Sequence, residues 1–112
     1  MDKYTALILY KDDKCLDEFL KEHIKLSDED HKQKEQGEQI YETEYCQIIC
    51  VKGIDIQIRY ILGKSVDYIA IQEELTWRED WKDIKFQLNS IKRNQILPTG
   101  ICVFNDCETY II

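Results

Sequence analysis

The order of local patterns along the chain predicts an α+β fold, with a largely antiparallel sheet of about five to six strands and two main helices on one side. Two observations support this prediction. Short runs rich in strand-forming residues alternate with two amphipathic helical patterns, and only one Pro and four Gly interrupt the chain. With 112 residues, of which 44% are hydrophobic, the chain is long enough for one globular domain, residues 1–112, with its own core.

The first half of the chain predicts a strand, a helix and a second strand. The run YTALILY, residues 4–10, is rich in strand formers and favours a buried strand. Asp12 or Asp13 can cap the helix that follows. The apolar face of this helix comprises Cys15, Leu16, Phe19, Leu20 and His23. Residues 27–37 are nearly all polar and predict a short exposed helix or a loop, whereas residues 39–51 predict one strand that enters the core.

The second half predicts two more strands, a strong helix and a terminal hairpin. Residues 54–62 alternate apolar and polar side chains and should pair with residues 39–51, and residues 67–72 form the next strand. Thr76 and Glu79 have the spacing of a capping box. The apolar face of the helix that follows comprises Trp77, Trp81, Ile84, Leu88 and Ile91. Residues 101–104 and 107–112 can then pair through a turn at Asn105 and Asp106.

The charge of the chain indicates which partners its surface suits. There are 22 acids and 15 bases, which gives a formal net charge of −7. A chain of this sign repels phosphate backbones, so direct nucleic-acid binding is disfavoured. An acidic surface instead suits a basic protein partner, including the groove in which a nucleic-acid-handling protein holds its ligand, because complementary fields steer association.

One acidic stretch is the candidate for such a contact. Between residues 73 and 83, five acids stand against Arg78 and Lys82. Two interpretations stay open at this point. A charged surface often serves solubility alone. The alternative is a partner-binding surface formed by Glu73, Glu74, Glu79, Asp80 and Asp83.

The compartment is expected to be the cytoplasm. No run approaches the roughly 18 apolar residues of a membrane span, so we expect no membrane contact. The acidic N-terminal sequence lacks the basic flank and cleavage pattern of a signal peptide. In that compartment the five cysteines are expected to be reduced thiols.

Four of the cysteines could hold a structural zinc ion. Cys46 and Cys50 have the spacing C-x3-C, and Cys102 and Cys107 have the spacing C-x4-C. On one straight strand Cys46 and Cys50 would stand about 13 Å apart. A two-residue turn in the terminal hairpin would instead place Phe104 opposite Cys107 and bring Cys102 and Cys107 to one face. A middle-strand cysteine, His23 or His31 could complete the shell. Core packing and a redox or disulfide role are the alternatives.

An enzymatic function has a weaker basis. The stretch GKSVDYIAIQEEL, residues 63–75, resembles parts of the nucleotide site of P-loop ATPases, with Lys64 on phosphate and Glu73 and Glu74 on magnesium. Ile58 stands where such a loop needs its first Gly, inside a predicted strand. The sequence therefore predicts a non-enzymatic protein, with a zinc-stabilised adaptor domain as the alternative and a small hydrolase or nucleotide-binding enzyme after that.

In size, acidity and lack of a catalytic signature, the chain resembles small phage-encoded inhibitors of host defence, above all anti-CRISPR proteins that bind RNA-guided nucleases. This resemblance implies a protein that docks on a basic nuclease surface in the cytoplasm of the host cell and prevents guide or target loading. No motif accompanies the resemblance, so it assigns no functional residue.

Overall fold

The computed structural model describes residues 4–24, 31–35, 38–54, 66–92, 100–105 and 109–111. Within these ranges the chain forms seven strands and two α-helices. The strands are β1 (Tyr4–Tyr10), β2 (His31–Glu35), β3 (Glu38–Glu42), β4 (Cys46–Lys52), β5 (Tyr68–Gln72), β6 (Cys102–Phe104) and β7 (Thr109–Ile111). The helices are α1 (Asp13–Phe19), continued by a π-helical turn (Leu20–Ile24), and α2 (Trp81–Ser90), preceded by a 3-10 helix (Glu73–Trp77).

All seven strands belong to one mixed sheet in the order β2-β3-β4-β1-β5-β6-β7. Five strands, β3-β4-β1-β5-β6, form its centre, and β2 and β7 extend it at the two edges. β1 pairs in parallel with both β4 and β5, and β5 pairs in parallel with β6. The pairs β2-β3, β3-β4 and β6-β7 are antiparallel. The four strands β4-β1-β5-β6 are therefore parallel to one another, and antiparallel pairs lie on both sides of them.

One face of the sheet is covered by α1. Asp12 caps this helix, because its side chain accepts a hydrogen bond from the Lys14 N–H. The buried side of α1 contacts the even-numbered residues of β1 and neighbouring strands. Phe19 stacks on Phe104 of β6 with ring centroids 4.3 Å apart. Residues of this cluster include Ala6, Ile8, Cys15, Leu16, Ile48, Cys50, Ala70 and Cys102.

The opposite face is covered by α2. Ile84 and Leu88 are its buried residues, and Trp81 packs against the same cluster while half-exposed. They contact odd-numbered sheet residues, which alternation along each strand places on this face. The cluster includes Leu7, Leu9, Ile49, Val51, Ile69, Ile71 and Val103. Within the described residues, each face of the sheet thus has one α-helix and its own apolar core.

The α+β prediction is confirmed at the level of α-helices packed on one sheet, but three of its details are wrong. The sheet is mixed rather than largely antiparallel, and its helices lie on opposite faces rather than on one side. The physical reason is visible in β1, where Leu7, Ile8 and Leu9 are all fully buried. Strands with such continuous apolar runs are typical of parallel sheets covered on both faces. The described residues also hold seven strands, more than the five or six expected.

Several element boundaries also differ from the predictions. Residues 39–51 form two strands, β3 and β4, which turn through Thr43, Glu44 and Tyr45. Residues 31–35 of the polar stretch form strand β2, not a helix or a loop. The predictions for β1 and for a strand at 67–72 are confirmed by β1 and β5. The predicted strand at 54–62 lies outside the described residues except for Ile54, which is buried.

Within the described ranges, neither α-helix has the length and apolar character needed to cross a lipid bilayer.

Candidate functional site

The carboxyl end of β5 lies against the loop that follows β1. The Gln72 side chain, which is almost fully buried, connects the two. Its Oε1 accepts hydrogen bonds from the backbone N–H groups of Lys11 at 2.8 Å and Asp12 at 2.9 Å. Lys11 also reaches the next element, because its Nζ lies 2.9 Å from Glu74 Oε2. These contacts hold the 3-10 helix, where the acidic stretch begins, against the rigid centre of the sheet.

The five predicted partner-binding acids lie in the 3-10 helix, the first turn of α2 and the residues between them. Glu73 is half-buried, and its Oε2 accepts a hydrogen bond of 2.9 Å from Asn105 Nδ2. Glu74 is exposed and pairs with Lys11. Asp80 receives two hydrogen bonds from the Arg78 guanidinium, at 3.0 and 3.1 Å. Glu79 and Asp83 are exposed.

The acids therefore differ in what they can offer a partner. The contact with Asn105 occupies Glu73 within the fold, whereas the ion pairs of Glu74 and Asp80 are exposed and exchange readily with other cations. Glu79 and Asp83 need the least rearrangement to meet a positive charge, since both are exposed and no cation lies within ion-pair distance of them among the described residues.

Two large aromatic side chains are exposed in the same stretch. Trp77, at the end of the 3-10 helix, is 71% exposed, and Phe86, in the middle of α2, is 77% exposed. Trp77 was predicted on the apolar face of α2, but Arg78 has an extended backbone and α2 begins only at Trp81. We call residues Glu73 to Phe86 the acidic–aromatic segment.

Sequence reasoning missed Phe86 as a functional candidate, although a signal for it exists. At 100° per residue, Phe86 lies about 200° around the helix from Ile84, so it points away from the buried side of α2. An apolar side chain at a position where the helical pattern requires a polar one is the signal that could have identified it. The capping-box prediction was also wrong, because the Thr76 hydroxyl donates to the Glu73 carbonyl at 2.6 Å rather than capping α2.

Of the four predicted zinc ligands, the structure describes Cys46, Cys50 and Cys102. Cys50 and Cys102 lie in one row across the sheet, because Cys50 pairs with Ile8, Ile8 with Ala70, and Ala70 with Cys102. Three strand spacings separate them, which amounts to about 14 Å. Two sulfurs on one zinc ion lie no more than about 4.6 Å apart. The structure therefore does not bring Cys50 and Cys102 together at one ion.

The terminal hairpin forms, but with a register that differs from the prediction. Phe104 pairs with Thr109, and Cys102 pairs with Ile111, so four residues connect the strands instead of two. The predicted pairing of Phe104 with Cys107 is wrong. Cys107 itself lies outside the described residues, as does Lys64. Within the described part of the chain, no three His, Cys, Asp or Glu side chains are placed to share a metal ion.

Cys102 is a buried thiol next to Tyr68. Burial raises the pKa of the Cys102 thiol, while its hydrogen bond with Tyr68 opposes that shift. Burial, followed by the hydrogen bond with Cys102, raises the pKa of the Tyr68 hydroxyl well above its usual range. Both groups therefore stay protonated at neutral pH. A protonated, buried thiol is a poor nucleophile, and this disfavours a redox role for Cys102.

The two histidines of the sequence lie on different elements, the π-helical turn and β2. The His23 ring is exposed and lies 5.0 Å from the Phe19 ring, centroid to centroid. His31 is the first residue of the edge strand β2, four strand positions from β5.

Neither known protein families, nor curated proteins, nor solved structures provide a match to this chain.

Proposed function

We propose that the chain is a non-enzymatic inhibitor of the anti-CRISPR type. It binds a basic, nucleic-acid-holding surface of a nuclease in the cytoplasm and prevents nucleic acid from loading. The observation that supports this proposal is the exposure of Trp77 and Phe86 in a segment that carries five carboxylates. Exposed aromatic side chains are the residues that most often dominate the binding energy of protein interfaces.

The chemistry of the acidic–aromatic segment specifies the kind of partner. A surface that holds nucleic acid is rich in Arg and Lys. Carboxylates such as Glu79 and Asp83 can pair with these cations, and the rings of Trp77 and Phe86 can lie against Arg guanidinium planes, a contact that contributes about 0.5–2 kcal/mol. The acids would steer the encounter and the rings would supply affinity after desolvation, so binding should weaken as ionic strength rises.

The test measures inhibition of target cleavage by a panel of RNA-guided nucleases at low and high salt. The double variant Glu79→Lys with Asp83→Lys, and separately Trp77→Ala, should raise the half-inhibitory concentration at least about tenfold. The matched control is Asp17→Lys with Glu22→Lys. It changes the net charge equally but places the new lysines on α1 and its π-helical turn, on the opposite face of the sheet.

The control separates a specific surface from a general effect of charge. The proposal is supported if the Glu79→Lys, Asp83→Lys double variant and Trp77→Ala lose inhibition while the control variant keeps it, with unchanged circular dichroism in all three. An equal loss in the control variant would show that only net charge matters. Absence of inhibition across the panel by the unmodified chain would remove the proposed function.

A further inference from the structure

We propose that a cleft at the amino-terminal ends of β1, β4 and β5 binds a neutral, bicyclic heteroaromatic small molecule. The cleft has a volume of about 320 Å³. It lies on the face of the sheet that α1 covers, close to the end of the π-helical turn. Its lining includes Tyr4, Ala6, His23, Tyr45, Cys46 and Tyr68.

The cleft arises from the position of one small residue among large ones. Tyr4, Ala6, Cys46 and Tyr68 all have even residue numbers, as do the strand residues packed against α1, so their side chains point to the α1 face. Ala6 pairs with Tyr68 on one side and with Ile48 on the other. Because its side chain is only a methyl group, space remains above it between the larger side chains. α1 starts at the far end of β1, and the turn that follows it contributes His23 here.

Three residues of the cleft lining, Thr5, His23 and Tyr68, are held by contacts with other parts of the fold. Tyr68 is tied to Cys102 by a side-chain hydrogen bond. His23 lies against Phe19, which in turn stacks on the fully buried Phe104. Thr5 also lines the cleft; its carbonyl accepts a hydrogen bond from the Asp67 N–H, and its own N–H donates to the Asp67 carboxylate. A site whose walls are already ordered loses little conformational entropy on binding.

The lining determines the class of ligand. Three tyrosine rings and one imidazole offer faces on which a flat ring can stack. Among the described residues that line the cleft, none is Asp, Glu, Lys or Arg, so a charged ligand would lose hydration without gaining a counter-charge. Hydroxyl groups and the imidazole can still bond ring nitrogens. These properties favour a neutral heteroaromatic compound.

The volume determines the size of the ligand. A closed apolar cavity of about 150 Å³ accommodates benzene. The cleft has about twice that volume, which corresponds to two fused rings. The site is also independent of the proposed nuclease contact, because it lies at the amino-terminal ends of the parallel strands whereas the acidic–aromatic segment follows the carboxyl end of β5.

Adenine and indole are suitable probes, because both are neutral and bicyclic, and indole-3-carboxylate is the anionic counterpart. Each is titrated into the ¹⁵N-labelled full chain while amide resonances are followed. We expect saturable shifts at Thr5, Ala6 and Cys46, none at Phe86, and weaker binding of the carboxylate. Absence of saturable shifts with both neutral probes would overturn the proposal, and so would equal binding of indole-3-carboxylate.

Two variants test the location. Tyr45 is 71% exposed, so Tyr45→Ala should leave the fold intact while raising the Kd about tenfold, as loss of one stacking ring does. Phe86→Ala removes an equally exposed ring from α2 and should leave the Kd unchanged. An unchanged Kd in Tyr45→Ala would refute the assignment to this cleft.

Discussion

The Gln72 amide should contribute more to stability than its position at a strand end suggests. Its oxygen accepts two backbone hydrogen bonds, at 2.8 and 2.9 Å, and the residue is only 6% exposed. Gln72→Met keeps the length and volume of the side chain but removes the acceptor, so little cavity energy is added. At about 1 kcal/mol for each lost bond, the free energy of unfolding should fall by about 2 kcal/mol.

Urea denaturation followed by far-ultraviolet circular dichroism measures this effect. With an m-value of about 1.5 kcal/mol/M, the midpoint should fall by about 1.3 M at constant m. Glu74→Gln is the matched control, because it alters an exposed contact with the same loop and should cost less than about 0.5 kcal/mol. Amide exchange at Lys11 and Asp12 should accelerate about 30-fold in Gln72→Met. A midpoint shift below about 0.3 M would refute the reasoning.

Three further predictions concern the core and the thiols. Phe104→Ala should lower the free energy of unfolding by about 3–5 kcal/mol, whereas Phe86→Ala should change it by less than about 0.5 kcal/mol; equal effects in thermal melts would contradict the packing described. Burial raises the pKa of Tyr68 in the folded chain, so Tyr68 stabilises the fold fully below about pH 10 and this stabilisation is lost as the pH rises further. In urea titrations at several pH values, the free energy of unfolding should therefore fall less steeply above about pH 10 in Tyr68→Phe. Cys50 and Cys102 are three strands apart and cannot bind the same zinc ion. In elemental analysis of the purified chain, Cys50→Ser and Cys102→Ser should therefore not both lower the zinc content, and a loss in both variants would contradict the strand order.

The sequence predicted those elements whose signal is local. β1 matches its predicted residues because the run is rich in strand formers, and the apolar spacing of Ile84, Leu88 and Ile91 identified the buried side of α2. The pairing of strands could not be predicted in this way. β1 pairs with strands about 40 and 60 residues further along the chain, and no local pattern encodes such partners.

The turn between β3 and β4 was missed for a different reason. It contains neither Gly nor Pro, the residues that usually indicate a turn. Side-chain chemistry closes it instead, because the Thr43 Oγ1 accepts a hydrogen bond from the Cys46 N–H at 3.0 Å and the Thr43 N–H donates to the Cys46 carbonyl at 2.9 Å. Because the sequence pattern does not indicate this turn, it predicts one continuous strand over residues 39–51.

In the candidate sites, too, features within one stretch of sequence were predictable, whereas contacts between distant residues were not. The acids at 73–83 were identified from their density in the sequence, but the hydrogen bond that occupies Glu73 comes from Asn105, which is 32 residues away. The cleft could not be predicted at all, because its residues come from four separate parts of the chain.

The central position of β1 has a consequence for how the chain folds during synthesis. Among the described strands β1 is synthesised first, yet the nearer of its two partners along the chain, β4, follows about 40 residues later. At roughly 5–20 residues per second, the apolar run YTALILY therefore waits about 2–8 s for a neighbouring strand, and longer for β5. During this interval the nascent chain exposes a segment prone to aggregation. Production of soluble protein should therefore depend on chaperones that bind nascent chains.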